Sequence, residues 1–244
     1  MKFTLIVILV LFPIFLFAQP KKEKLTITHL TKDFYIYTTY QSYQGYLVPA
    51  NGMYLITNKG VVLFDTPWDA TQFQPLLDSI EKRHHQKVVM SFATHSHEDR
   101  SRGLDYYKQQ GIKTYTTRQT DQILKARGAK RAEYLIDRDT TFSIGQYSFQ
   151  TFYPGPGHTS DNIVIWFEKE KIIYGGCFIK STEAKDLGNL ADANVKEWPN
   201  SIRKTQALCK NPIYVIPGHQ DWSNSNSLEH TLQLINDYQQ KGNR

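Results

Sequence analysis

Four apolar runs typical of β-strands each lead into residues that can bind a metal, and this pattern constrains the fold more than any other feature. Loops at strand ends are where a rigid sheet presents chemical groups. We therefore expect a sheet-based domain whose strand ends carry a shared site. The runs and the groups that follow them are 87–93 before His95, His97 and Asp99; 147–153 before His158; 172–174 before Cys177; and 213–216 before His219.

The segment from His95 to Asp99 places two imidazoles and one carboxylate at alternate positions. Alternate side chains of an extended chain point to the same side, so the three groups converge. With His158, Cys177 and His219, the nitrogen, oxygen and sulfur ligands suit zinc, which is redox-silent. Six ligands are too many for one tetrahedral zinc. They divide into two sets of three, each with an open position, as is typical of catalytic zinc.

The chain has two cysteines, Cys177 and Cys209. A disulfide between them is one reading, but it would remove Cys177 as a ligand. Cys209 falls on the apolar side of a predicted helix with Ile202, so we interpret it as a core thiol. A redox protein that uses both cysteines is a further alternative, although they form no C-x-x-C motif.

The rest of the chain predicts an α+β domain that begins with hairpins. Asn58-Lys59-Gly60 separates two strand-type runs and predicts a turn, and residues 41–46 between earlier strands predict a mobile flap. Apolar spacing predicts helices over 71–82, 104–110, 117–127 and 198–209, with a last helix that carries Leu228, Leu232 and Ile235. Since we find no linker or short repeat, we expect residues 19–244 to form a single domain.

The first residues predict export. Met1-Lys2 is followed by an apolar run over 3–17, and Ala18 precedes a polar segment, so residues 1–18 have the form of a secretory signal peptide. The alternative is a membrane anchor, but the run falls short of the roughly 20 residues that a span needs. We therefore expect a periplasmic protein with no membrane anchor. Its lysines and arginines are scattered, although the net charge is +6, which argues against a nucleic-acid partner.

These motifs resemble those of the class B metallo-β-lactamases, specifically subclass 1. The similarity runs from about Asp33 to the C-terminus. It is carried by five segments, which are Thr94-His95-Ser96-His97-Glu98-Asp99-Arg100, Gly157-His158-Thr159 with Asp161-Asn162, Gly176-Cys177 with Lys180, Gly188-Asn189-Leu190-Ala191-Asp192-Ala193, and Pro217-Gly218-His219. A sixth segment, Leu63 to Asp69, is similar to one that lies under the family's site.

The resemblance implies a four-layer αβ/βα sandwich and two zinc ions. His95, His97 and His158 would hold the first zinc, and Asp99, Cys177 and His219 the second. Arg100 would brace the second-zinc ligands, Lys180 would bind the substrate carboxylate, and Asn189 would bind substrate and stabilise the oxyanion. The flap is rich in tyrosine and glutamine, which departs from the family's tryptophan-bearing pattern.

The implied activity is hydrolysis of the β-lactam amide of penicillins, cephalosporins and carbapenems, which confers resistance. Zinc lowers the pKa of a bound water, so a zinc-bound hydroxide oriented by Asp99 can attack the carbonyl at neutral pH. A thioester hydrolase of the same fold is an alternative, but such relatives usually carry histidine after the aspartate, where this chain has Arg100. A non-catalytic zinc-binding protein is another, and it would favour closed four-ligand sites. We expect a monomer.

Overall fold

A computed structural model describes residues 24–242. The predicted signal peptide at residues 1–18 lies outside the described residues, and the prediction of one domain over 19–244 stays a prediction. Within residues 24–242, no helix combines the length and the apolar character needed to cross a bilayer.

The first sheet contains seven strands in chain order, β1 to β7. Strands β1 to β4 pair antiparallel, whereas β4 to β7 are parallel and are joined by helical crossovers. The strands are Leu25–Thr31, Phe34–Tyr43, Tyr46–Thr57, Gly60–Phe64, Val88–Phe92, Lys113–Thr117 and Tyr134–Ile136. The crossovers contain α1 (Phe73–His84, after a 3₁₀ turn at Ala70–Gln72), α2 (Glu98–Ser101), α3 (Leu104–Gln109) and α4 (Arg118–Ala126).

The second sheet contains five strands in the order β12, β11, β10, β9, β8. Its neighbours pair antiparallel except for β11 and β12, which are parallel because α5 connects them. The strands β8 to β12 are Thr140–Ile144, Tyr147–Phe152, Val164–Phe167, Ile172–Gly176 and Tyr214–Pro217. The helices are α5 (Trp198–Leu208) and α6 (Ser227–Gly242).

Alternation along the strands produces four layers. In β4, Val62 and Phe64 join the core between the sheets, whereas Val61 and Leu63 pack with residues of α1 and α3. In β10, Phe167 faces the same inter-sheet core, where it contacts Phe64 edge to face. Full burial of such a ring stabilises the fold by about 1.5–3 kcal/mol. The predicted αβ/βα sandwich is confirmed.

The segment 41–46 differs from the flap loop that its sequence predicts. Strands β2 and β3 continue to Tyr43 and Tyr46, which pair across a two-residue turn. Gln44 and Gly45 at that turn both have positive φ, 50° and 83°. Two central residues of this kind match the right-handed twist of the flanking strands, so the hairpin extends to its tip. Tyr46 remains 76% exposed there.

Candidate metal centre and substrate cleft

The strand ends of both sheets meet at one edge of the sandwich. Asp99 lies at the start of α2, in the connection that follows β5, while Cys177 directly follows β11 and His219 is the second residue after β12. Backbone bonds lock the loops together, since Gly218 N donates to Gly176 O at 2.7 Å and Ile163 N to Thr94 O at 3.0 Å. All six side chains that the sequence singles out as ligands are thereby brought to one place.

The ligand-type atoms form overlapping groups of three, each within 4.8 Å. The groups are His95, His97 and Asp99; His95, His158 and Cys177; and Asp99, Cys177 and His219. The rings of His95, His97 and His158 also lie 4.9–5.1 Å apart between centroids. The three histidine rings therefore adjoin the cluster of Asp99, Cys177 and His219.

Hydrogen bonds to surrounding groups indicate which nitrogen of His219, His97 and His95 faces the centre. His219 Nδ1 lies 2.6 Å from the carbonyl oxygen of Pro49. A carbonyl only accepts, so Nδ1 carries the proton and Nε2 presents a lone pair. His97 Nε2 lies 2.8 Å from Asp192 Oδ2, a carboxylate oxygen that accepts, so the neutral tautomer with the proton on Nε2 leaves Nδ1 bare. That Nδ1 is 3.2 Å from Nε2 of His158.

His95 is set by a longer chain of bonds. The Thr94 hydroxyl donates to Asp65 Oδ2 at 3.0 Å, which leaves its lone pair toward His95 Nδ1 at 3.3 Å. His95 Nε2 then stays buried without a hydrogen-bond partner among the described residues. Buried polar atoms are normally paired, so an unpaired imidazole nitrogen at this place is what a metal-binding nitrogen would look like without its ion.

The protonation state of the buried histidines also favours metal binding. Burial, with repulsion from His97, lowers the pKa of His95 well below its usual range. Burial, with Lys180 nearby, does the same for His158. Metal binding requires the neutral imidazole, so both rings are held in the form that binds. The donor set and the orphaned nitrogen thus fit a site for soft or borderline divalent metals such as zinc.

Asp99, Cys177 and His219 form a tight second cluster. Cys177 Sγ lies 3.2 Å from both Asp99 Oδ2 and His219 Nε2, and these two atoms are 3.1 Å apart. Burial alone would raise the pKa of Asp99, but Arg100 and His219 outweigh it and hold that pKa well below its usual range. Burial raises the pKa of the Cys177 thiol despite Arg100. A bound cation would supply the charge that the thiolate needs.

Arg100 donates hydrogen bonds to two members of this second cluster from its buried side. It is 1% exposed, and it donates to Asp99 Oδ2 from Nε and Nη2 at 3.1 and 3.0 Å and to Cys177 Sγ at 3.2 Å. The same guanidinium binds the carbonyls of Asn51 and Gly218. This geometry agrees with the bracing role that the resemblance implies for Arg100.

Asp65 faces the buried guanidinium of Arg100, a role that the sequence analysis did not predict. It accepts from Thr94 N at 2.7 Å, from Tyr174 Oη at 2.6 Å and from Arg100 Nη1 at 3.4 Å. Burial raises the pKa of Asp65, opposed by Arg100, Tyr174 and Thr94. The available signal was a carboxylate placed directly after strand β4.

Asp192 and Arg127 are the other residues that sequence reasoning missed. Asp192 Oδ2 accepts from His97 at 2.8 Å and from Arg127 Nη2 at 2.9 Å. The bond from His97, with Arg127, lowers the pKa of Asp192. Asp192, in the loop after β11, thus contacts both His97 and Arg127, the residue at the end of α4.

The metal centre lies in a cleft of about 960 Å³. Tyr43, Val48 and Trp68 line it, and so do Lys180 and Asn189, whose predicted contacts with substrate stay predictions. Lys180 is half-buried, with Nζ 5.4 Å from the centroid of the Trp198 ring. Burial lowers its pKa, although Cys177 opposes this.

Asn189 is exposed, and its Oδ1 accepts from Ala191 N at 3.1 Å. That bond orients the amide while leaving Nδ2 available as a donor. Cys209 is a free thiol that is buried between the second sheet and its helices, and Cys177 is also free. The core interpretation of Cys209 is therefore confirmed, and there is no disulfide between the two cysteines.

Comparisons with known proteins agree with this architecture. The model of the metallo-beta-lactamase superfamily matches residues 46–219. The metallo-beta-lactamase type 2 of Elizabethkingia meningoseptica is 45% identical over 241 residues, which cover 99% of this chain and 96% of that protein. Its counterpart from Bacteroides fragilis is 34% identical, with coverage of 98% and 97%.

Solved structures give the same result. Metallo-beta-lactamase IND-7 superposes with a TM-score of 0.85 and is 42% identical, over 89% of this chain and all of that one. A metallo-beta-lactamase from Pontibacter korlensis reaches 0.85 at 34% identity, over 87% and 99%. The chain belongs to the metallo-β-lactamase superfamily. The family and the enzyme class predicted from the motifs are confirmed.

Proposed function

We propose that this chain is a zinc-dependent β-lactamase that opens the amide ring of penicillins, cephalosporins and carbapenems, and so confers resistance. The observation that carries the proposal is the pair of adjoining ligand clusters on the floor of a cleft whose wall bears Lys180 and Asn189. The high identity to relatives named metallo-beta-lactamases over nearly the whole chain supports the same activity.

In this proposal two zinc ions bind per chain. His95, His97 and His158 would hold the first, and Asp99, Cys177 and His219 would hold the second. When bound, zinc supplies Lewis acidity and a nucleophile at neutral pH. Support comes from the bare nitrogens fixed by the surrounding hydrogen bonds and from the thiol, carboxylate and imidazole within 3.2 Å of one another.

The chain's own residues bind and orient the substrate. The Lys180 ammonium pairs with the carboxylate that β-lactams carry, and Nδ2 of Asn189 donates to the carbonyl oxygen as negative charge develops there. Asp99, which Arg100 keeps ionised, orients the attacking water. The apolar side of the cleft, with Tyr43, Val48 and Trp68, receives the non-polar substituents.

We further propose that residues 1–18 direct export to the periplasm and are then removed. The mature chain, 19–244, would act as a monomeric single domain without a membrane anchor or nucleic-acid partner. The short positive start, the apolar run and the small residue at position 18 support export.

Zinc content and turnover test the proposal together. Purified 19–244 should bind two zinc ions and hydrolyse a penicillin, as measured by metal analysis and absorbance. Cys177→Ser should lower the affinity of one zinc and reduce turnover, because a hydroxyl is a poorer zinc ligand than a thiolate. Cys209→Ala is the matched control, since it removes the other buried thiol. Equal zinc affinity in Cys177→Ser and Cys209→Ala would count against the assigned second site.

A further inference from the structure

The segment that carries Lys180 is attached to helix α6. At one end, the backbone N–H of Lys180 donates to Thr231 Oγ1 at 2.8 Å. At the other, His230 Nε2 donates to the carbonyl of Ala184 at 2.8 Å. Two consecutive residues of one helix therefore hold both ends of residues 180–184. We refer to Thr231 and His230 as the α6 clamp.

Thr231 is itself held in a fixed orientation. It is fully buried, and its hydroxyl donates to Ser227 O at 2.6 Å, one turn back in α6. A hydroxyl has one hydrogen, so this bond directs a lone pair of Oγ1 to the Lys180 N–H. The carbonyl of Lys180 lies farther from the same hydroxyl, at 3.4 Å. Thr231 is thus an oriented acceptor for one particular backbone donor.

The middle of the segment is fixed as well. Ser181 Oγ donates to Asp221 O at 2.7 Å, and the N–H of Asp221 donates to Glu183 Oε2 at 3.2 Å. The Lys180 side chain leaves this fixed backbone to place its ammonium over Trp198 at the cleft wall. A shift of the backbone would therefore move the ammonium relative to the metal centre.

We propose that Thr231 is a positioning residue that sets the place of the Lys180 ammonium for the substrate carboxylate, and that His230 assists it. The inference rests on the proposed function, in which Lys180 binds that carboxylate. Thr231 is not among the residues that line the cleft, and it acts through the backbone of Lys180.

A double-mutant cycle tests the inference, with hydrolysis of a penicillin as the readout. Thr231→Val keeps the shape but removes the acceptor, so KM should rise about tenfold, the equivalent of one net hydrogen bond, with kcat within about twofold. Thr231→Ser should restore KM. In the Lys180→Ala background, Thr231→Val should change KM no further, because the group that it positions is gone.

Controls separate positioning from stability. Thr205→Val removes another fully buried helical hydroxyl, which donates to Ser201 O one turn back in α5. It should leave KM unchanged whatever its effect on unfolding. If Thr231→Val does not fold, His230→Ala tests the other end of the clamp, and KM should rise while two zinc ions remain bound.

The outcomes distinguish the clamp from the proposed function. An unchanged KM in folded Thr231→Val or, in its place, in His230→Ala, with a raised KM in Lys180→Ala, overturns the clamp and leaves the function standing. A rise of equal size in the Lys180→Ala background also overturns it. An unchanged KM in Lys180→Ala overturns the role of Lys180 and the clamp with it.

Discussion

Three buried tyrosines allow the strength of the Asp65 network to be predicted against internal standards. The hydroxyl of Tyr174 donates to the Asp65 carboxylate at 2.6 Å, that of Tyr37 to the backbone oxygen of Asp65 at 2.8 Å, and that of Tyr107 lies 3.5 Å from Phe73 O. All three are at most 1% exposed. Replacement by phenylalanine removes one oxygen in each case.

The charge and length of each bond set the expected loss. Tyr174→Phe should destabilise the zinc-free protein by about 1.5–3 kcal/mol, because its acceptor is a carboxylate that faces Arg100 rather than a backbone carbonyl. Tyr37→Phe should cost about 0.5–1.5 kcal/mol, as a neutral bond does. Tyr107→Phe should cost little, since 3.5 Å exceeds the normal O–H···O range of about 2.5–3.0 Å.

Urea unfolding with a chelator present, followed by fluorescence, measures the three differences. The burial-raised pKa of Asp65 means that its ionisation opposes folding as pH rises through that pKa. The loss in Tyr174→Phe should therefore be smaller at acidic pH, where the carboxyl can be protonated. A loss for Tyr174→Phe equal to or below that for Tyr107→Phe would refute the reasoning.

Two further predictions concern residues beside the first metal cluster, the first about zinc affinity and the second about the stability of the fold. Asp192→Ala should weaken zinc binding by about 10–100-fold, because His97 loses the partner that orients it; Arg127→Ala should change it by less than about fivefold, since its ion pair is 43% and 38% exposed. Competition with a chromophoric chelator measures the zinc affinity of both variants. Equal losses in Asp192→Ala and Arg127→Ala would contradict the larger role given to Asp192. Gly157→Ala should destabilise the fold by about 1–3 kcal/mol, because the added carbon would lie 2.6 Å from Phe178 and 2.8 Å from Trp198. A urea midpoint of Gly157→Ala equal to that of the wild type would contradict the predicted steric overlap.

Local patterns predicted most of the fold. The turn at 58–60, the Thr117 cap, whose side chain accepts from Thr120 N, and the helix of 198–209 are confirmed to within a residue or two. Strand β6, Lys113–Thr117, was missed because its sequence is polar and offers no alternating apolar residues. It is a strand because its parallel partners on both sides complete the hydrogen bonds. The predicted loop at 41–46 is instead a hairpin tip, because Gln44 and Gly45 both adopt positive φ and close a two-residue turn. Its mobility stays a prediction.

The site divides in the same way. Ligand-type residues at strand ends could be identified because a spacing of two residues and a preceding glycine can be read directly from the sequence. The supporting residues could not, because each is defined by a contact distant in sequence. Asp192 lies 95 residues from His97, and Tyr174 lies 109 from Asp65. Thr231 is one more hydroxyl on an amphipathic helix until the structure places it against Lys180.

The most direct test of the proposed activity is turnover of β-lactams as zinc is removed and restored. The protein without residues 1–18 would be assayed with a penicillin, a cephalosporin and a carbapenem, in zinc, after chelation and after zinc is returned, beside a thioester. We expect hydrolysis of all three β-lactams, lost on chelation and recovered with zinc. Hydrolysis that persists without zinc, or cleavage of the thioester alone by a chain that binds two zinc ions, would contradict the proposed function.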